Sequence, residues 1–185
     1  ILPLGQEETF AYDANGNNVS HTDFNGATTA FTYDTDNRMV LKQLPDGSSV
    51  EYAYAPCCGL RTQAGGDTYT YDERGRLLTD TKESGAVLSY TYDEAGNRTS
   101  VTTTVGGVAR TTTYTFDALN RLATVTDPDG GVTAYTYDAV GNRLSQVSAF
   151  GTITYTYDIA NRLINVGGVA QTWDKNGNLL SDGAS

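Results

Sequence analysis

Short runs in which aromatic residues alternate with threonine recur along the chain, most of them closed by an aspartate. They stand at Phe31-Thr32-Tyr33-Asp34, Tyr69-Thr70-Tyr71-Asp72, Tyr90-Thr91-Tyr92-Asp93, Tyr114-Thr115-Phe116-Asp117, Tyr135-Thr136-Tyr137-Asp138 and Tyr155-Thr156-Tyr157-Asp158. Looser copies are Phe10-Ala11-Tyr12-Asp13, Tyr52-Ala53-Tyr54-Ala55 and Gln171-Thr172-Trp173-Asp174. Side chains alternate across a strand, so both rings of a run share one face and the threonine takes the other. Aromatic and β-branched residues favour strands, and no helical periodicity of useful length competes. Successive runs lie 21, 21, 17, 21, 24, 21, 20 and 16 residues apart. An interval of that size holds one hairpin and its connection, and regular spacing of this kind marks a repeat architecture.

The turns can be read from the letters after each aspartate. Three residues after Asp13, Asp34, Asp72, Asp93, Asp117, Asp138, Asp158 and Asp174 stand Gly16, Asn37, Gly75, Gly96, Asn120, Gly141, Asn161 and Gly177. Glycine and asparagine tolerate a left-handed backbone, and an aspartate at a turn start accepts hydrogen bonds from the next N–H groups along the chain. The repeated aspartate is thus a turn residue before any chemistry is invoked. An arginine and an apolar residue then open the return strand, as in Arg76-Leu77 and Arg121-Leu122. The apolar residue lies five positions after the aspartate at Met39, Leu77, Leu122 and Leu163 but six at Val19 and Leu144. This predicts alternating short and long turns in a pair of about 42 residues. Second turns such as Asn25-Gly26, Pro45-Asp46-Gly47, Gly106-Gly107, Asp127-Pro128-Asp129-Gly130-Gly131 and Gly167-Gly168 read as looser connections. The fold class predicted is all-β: about nine hairpins in one continuous, twisted antiparallel sheet. No linker divides residues 1–185, which read as a single array.

Composition narrows the function. The chain has 13 Tyr against 5 Phe and 1 Trp, with 38% hydrophobic residues and a mean hydropathy of −0.39. Tyrosine buries a ring while keeping a hydroxyl that wants a partner, which suits a half-wet sheet face better than a closed core. The net charge of −10, with 12 Lys and Arg spread over 185 residues, argues against nucleic acid and against anionic membrane surfaces. No apolar run approaches the ~20 residues that span a bilayer.

The run Tyr135-Thr136-Tyr137-Asp138, followed by Gly141-Asn142-Arg143-Leu144, resembles the YD repeat of RHS and wall-associated bacterial proteins, of the C component of Tc toxins and of teneurins. The resemblance extends over nearly the whole chain. It implies a β-strip that spirals into a hollow shell, an extracellular or cell-surface location, and roles in toxin encapsulation, adhesion or carbohydrate binding. Such shells use many more repeats than nine, and the last unit breaks off at Ser185, so the chain reads as part of something longer. The partners implied are further repeats or copies of itself, glycans, or an encapsulated toxin.

Candidate chemistry is sparse. His21 is the only histidine, and Cys57 and Cys58 are adjacent and supply neither a disulfide framework nor the four ligands of a zinc site. They read as loop thiols, with a vicinal or intermolecular disulfide as the alternative. Asp127-Pro128-Asp129-Gly130 is similar to an Asp-Pro-x-Gly element of toxin-bearing relatives, but an ordinary repeat comes directly after it. No catalytic residue is assigned and no enzyme activity is expected. No cofactor is expected either. Structural calcium is the one candidate, at Asp13-x-Asn15-Gly16-Asn17 and Asp174-x-Asn176-Gly177-Asn178, although the twelfth position of the first loop is Phe24 where a calcium loop carries glutamate. The aromatics Tyr69, Tyr71, Tyr90, Tyr92, Tyr135, Tyr137, Tyr155, Tyr157 and Trp173 form either a stacked ladder within the sheet or an exposed platform for sugar rings.

Overall fold

The computed structural model describes residues 7–183. Among them there is no helix, only strands and turns. They fall into two compact units divided between Leu88 and Ser89.

The first unit is an antiparallel meander of β1 (Thr9–Tyr12), β2 (Asn18–Thr22), β3 (Thr28–Tyr33), β4 (Met39–Gln43), β5 (Ser49–Tyr54), β6 (Arg61–Ala64), β7 (Asp67–Tyr71) and β8 (Leu77–Thr81). The second holds β9 (Val87–Tyr92) from Ser89 onward, and β9 pairs with β10 (Arg98–Val105). It continues through β11 (Val108–Phe116), β12 (Leu122–Thr126), β13 (Val132–Tyr137), β14 (Arg143–Ser148), β15 (Gly151–Tyr157), β16 (Leu163–Val166) and β17 (Val169–Ala170). The last pair, β18 (Thr172–Trp173) and β19 (Leu179–Ser181), forms a separate two-stranded sheet. These pairings join strands consecutive in sequence, the arrangement that hairpins at about 20-residue intervals dictate.

The aromatic strands β1, β3, β5, β7, β11, β13, β15 and β18 meet their return strands through the same irregularity. Tyr33 lies opposite Met39, but Thr32 lies opposite Leu41, so Val40 is an extra residue. The same step separates Thr70 from Tyr71, Thr115 from Phe116, Thr136 from Tyr137 and Thr156 from Tyr157. A bulge of this kind sharpens the twist and disturbs the ladder locally.

Among the described residues no side chain is fully buried. The aromatics of the runs after the first are half-buried, while the threonines between them, from Thr32 to Thr172, are exposed. The more covered face therefore carries the rings, and the opposite face carries hydroxyls that pair across strands. Examples are Thr70 with Thr79 at 2.6 Å, Thr115 with Thr124 at 2.7 Å and Thr136 with Ser145 at 2.6 Å.

The expectation of two turn lengths is corrected. In all eight aspartate turns the aspartate N–H donates to the carbonyl four residues on, whether the unit is Asp34 with Arg38 or Asp138 with Asn142. The backbone is constant, and what alternates is the side chain at the fourth position: asparagine at 17, 97, 142 and 178, arginine at 38, 76, 121 and 162. An asparagine there displaces the arginine and leucine by one place, which mimics a longer turn. The second turns are also tighter than expected. Those at Asp23, Leu44, Lys82 and Asp127 close with the same pair of backbone hydrogen bonds.

Candidate functional site

The aspartate turns are the best-defined polar sites of the chain. In the turn that starts at Asp34, Oδ1 accepts the backbone N–H groups of Asp36 and Arg38, each at 2.9 Å, and Oδ2 accepts Arg38 Nε at 2.8 Å. Asp138 repeats the pattern with Val140, Asn142 and the Asn142 side chain. The third residue after each aspartate is left-handed: φ is +61° at Asn37, +59° at Asn120 and at Asn161, +77° at Gly75 and +100° at Gly141. Gly16, Gly96 and Gly177 share that region. Donors converging on a carboxylate favour its charged form. The Arg38, Arg76, Arg121 and Arg162 backbone N–H groups accordingly hold Asp34, Asp72, Asp117 and Asp158 below the ordinary carboxylate value. The Asn17, Asn97 and Asn178 side chains do the same for Asp13, Asp93 and Asp174. At Asp138 lost hydration is the largest influence and opposes the shift, but the Asn142 bonds together prevail and lower the value.

The turns are also tied to one another. Asn97 Nδ2 donates to Asn120 Oδ1 at 2.9 Å, Arg121 Nη1 to the Asp138 carbonyl at 2.8 Å, and Asn142 Nδ2 to Asn161 Oδ1 at 3.0 Å. In the first unit Asn17 joins Asn37 in the same way, at 2.8 Å. The alternation of Gly-Asn and Asn-Arg dipeptides after the aspartates is the readable signal for this chain of bonds, because an amide donor in one turn faces an amide acceptor in the next.

The second aromatic of each run has a role that the pattern alone does not disclose. Tyr33, Tyr54, Tyr71, Tyr137 and Tyr157 donate their hydroxyls to the carbonyls of Asn18, Met39, Arg61, Leu122 and Arg143, over 2.8–3.0 Å. Each acceptor is the residue that begins the bulge of the preceding hairpin. Trp173 keeps the connection with its indole N–H, to the Leu163 carbonyl at 2.8 Å. Phe116 has no hydroxyl, and a groove of about 470 Å³ opens around it between Tyr92, Arg98, Tyr114 and Leu122.

Four of the first aromatics, Tyr69, Tyr90, Tyr135 and Tyr155, lie under cations, as do the second aromatics Tyr54 and Tyr137. Arg98 stands 4.7 Å from the Tyr90 ring centre, and Arg61 stands 5.5 Å from that of Tyr69. Arg143 lies over both Tyr135 and Tyr155, at 5.6 and 4.8 Å. Within each unit these rings are distributed one set per hairpin. Among the described residues no group of three or more His, Cys, Asp or Glu is placed to hold a metal ion. His21 stacks on Phe10 and bonds Glu8 at 2.6 Å.

The RHS Repeat family model matches residues 12–49, 71–108, 109–132, 116–153 and 137–172. The chain is 32% identical over 184 residues to the tRNA3(Ser)-specific nuclease WapA of Bacillus spizizenii, covering 95% of this chain and 6% of that protein. It is 31% identical over 97 residues to double-stranded DNA deaminase toxin A of Burkholderia cenocepacia, covering 51% of this chain and 7% of the relative. Among solved structures it is similar to the complex TcdB2-TccC3-Cdc42, with a TM-score of 0.65 and 19% identity over 93% of this chain. TcdB2-TccC3 without its hypervariable C-terminal region gives a TM-score of 0.66, also at 19% identity and 93% coverage. The chain spans 12% of each of those chains. At that identity the likeness is one of fold.

Proposed function

This chain belongs to the RHS repeat family, and from that premise we propose that it is a non-catalytic wall segment of a secreted or cell-surface protein. Its hairpins extend a shell or filament whose effector, where one exists, lies outside these residues. The observation that carries this reading is the use made of the recurring side chains. The turn aspartates accept bonds from their own turns, and most second aromatics are bonded to the preceding hairpin. A catalytic carboxylate needs its oxygens available for a ligand; here the aspartate oxygens are committed to their own turns and the tyrosine hydroxyls to joining one repeat to the next. The relatives named as a nuclease and a deaminase toxin support a toxin-associated context. The shared region, however, amounts to 6–7% of their length.

The test is to assay this chain by itself on tRNA and on double-stranded DNA. No cleavage and no deamination are expected. An activity abolished by one aspartate substitution would overturn the reading. A second reading, a glycan-binding adhesion module, is favoured by the open threonine face with its paired hydroxyls. Retention on a glycan array that is lost on replacing Thr115 and Thr136 by valine would establish it.

A further inference from the structure

The repeat at Tyr52-Ala53-Tyr54-Ala55 breaks the turn rule, and the break houses both cysteines. Without an aspartate, Ala55 N–H closes on the Leu60 carbonyl at 2.8 Å, five residues on where the other units use four. The extra length is taken up by Pro56-Cys57-Cys58-Gly59, with Gly59 left-handed at φ +68°. Both thiols are exposed, and their sulfurs lie 2.8 Å apart. They border an open groove of about 520 Å³ that runs to Asp72, Glu73 and Arg74 of the next turn. A small reagent therefore reaches them from solvent.

We propose that Cys57 and Cys58 form a reversible oxidation site, a vicinal dithiol that closes to an intrachain disulfide by exchange with a low-molecular-weight disulfide. One thiolate attacks the reagent RSSR, forming a protein–S–S–R mixed disulfide and releasing RS⁻. The neighbouring thiolate then attacks the protein-side sulfur, forms the Cys57–Cys58 bond and releases the second RS⁻. The two protons leave the protein thiols and the two RS⁻ take up protons, so one RSSR is reduced to two RSH as the pair is oxidised. The second step is favoured by proximity, because its nucleophile is already in contact with the sulfur it must reach.

The contact with Cys58, with lost hydration second, raises the Cys57 pKa. Exchange therefore accelerates as the pH rises, since only the thiolate attacks. Neighbouring Cα atoms are about 3.8 Å apart, shorter than the roughly 4.4–6.8 Å that disulfides prefer. The closed pair is accordingly an easily reduced one, suited to cycling rather than to permanent bracing. These are the only two cysteines of the chain, so this is the one disulfide it can make within itself. The dithiol depends on the turn that holds it and is independent of the wall-segment role.

The experiment is to incubate the folded chain with oxidised glutathione at mildly alkaline pH, alkylate, and measure the intact mass. The expected product has lost two hydrogen atoms, carries neither glutathione nor alkyl groups, and regains two alkylatable thiols with dithiothreitol. Cys57→Ser, which leaves no resolving thiol, is expected to keep one glutathione. Wild-type protein that retains glutathione at equilibrium, or that migrates as a disulfide-linked dimer on a non-reducing gel, would overturn the proposal.

Discussion

The hydroxyl of Tyr137 donates a 2.9 Å hydrogen bond to the carbonyl of Leu122, fifteen residues earlier and in the preceding hairpin. Backbone ladders join strands in order; the ladder between β12 and β13 ends at Thr124 and Ala134, and this bond holds the two strands together beyond that point, fastening the start of one repeat's turn to the bulge of the last. Removing the hydroxyl leaves the carbonyl without that donor. Tyr137→Phe is expected to lower stability by about 0.5–1.5 kcal/mol, the usual net worth of one hydrogen bond. Urea denaturation monitored by circular dichroism measures it.

Phe116 offers the converse. In the repeat register its acceptor would be the Arg98 carbonyl, and the groove beside it has room for an oxygen. Phe116→Tyr is expected to stabilise the chain by about 1 kcal/mol. A variant no more stable than the parent would show that the hydroxyl is not what holds successive hairpins together.

Gly141 separates backbone from packing. Its φ is +100°, and a Cβ built there meets nothing within 4 Å, so the cost of a side chain is conformational alone. Gly141→Val is expected to cost about 1–2 kcal/mol, and Gly141→Asn much less, since asparagine occupies this turn position in neighbouring units. Equal melting temperatures for the two variants would contradict the turn assignment.

Acid should act through the turns. Asp13, Asp34, Asp72, Asp93, Asp117, Asp138, Asp158 and Asp174 have folded-state pKa values below their ordinary 3.8. The unfolded chain therefore binds protons first as the pH falls. The stabilisation is whole above the unfolded value and is lost as the pH drops through about 4 and then through the lowered folded values. Melting temperatures measured from neutral pH to the acid limit should stay level and then fall in that window. Replacing Asp34 and Asp117 by asparagine should flatten the fall while lowering the plateau.

Calcium should have little effect. The Asp13 carboxylate already accepts the Asn15 and Asn17 backbone N–H groups and the Asn17 side chain, each at 2.9 Å. Melting curves in calcium and in chelator are expected to superimpose. A rise on adding calcium that Asp13→Asn removes would restore the site as a metal loop.

Much of this was legible in the order of residues because the determinants are local. Alternating aromatic and threonine residues place rings and hydroxyls on opposite faces within a single strand. An aspartate with glycine or asparagine three residues later specifies a turn with one left-handed residue, since few other side chains accept that conformation. What the order of residues could not decide was where the side chains of one hairpin end on the next. Turn length is hidden in the letters because Asn142 and Arg121 occupy the same backbone position, yet only Asn142 has an arginine after it. The partner of the Tyr137 hydroxyl depends on a bulge, and a bulge is a property of two paired strands. Which face is wet was likewise decided by the tertiary structure. Cations over six of the rings and hydroxyl bonds from the second ring of most runs cover the aromatic face, while the threonine hydroxyls satisfy one another across strands and stay open to water.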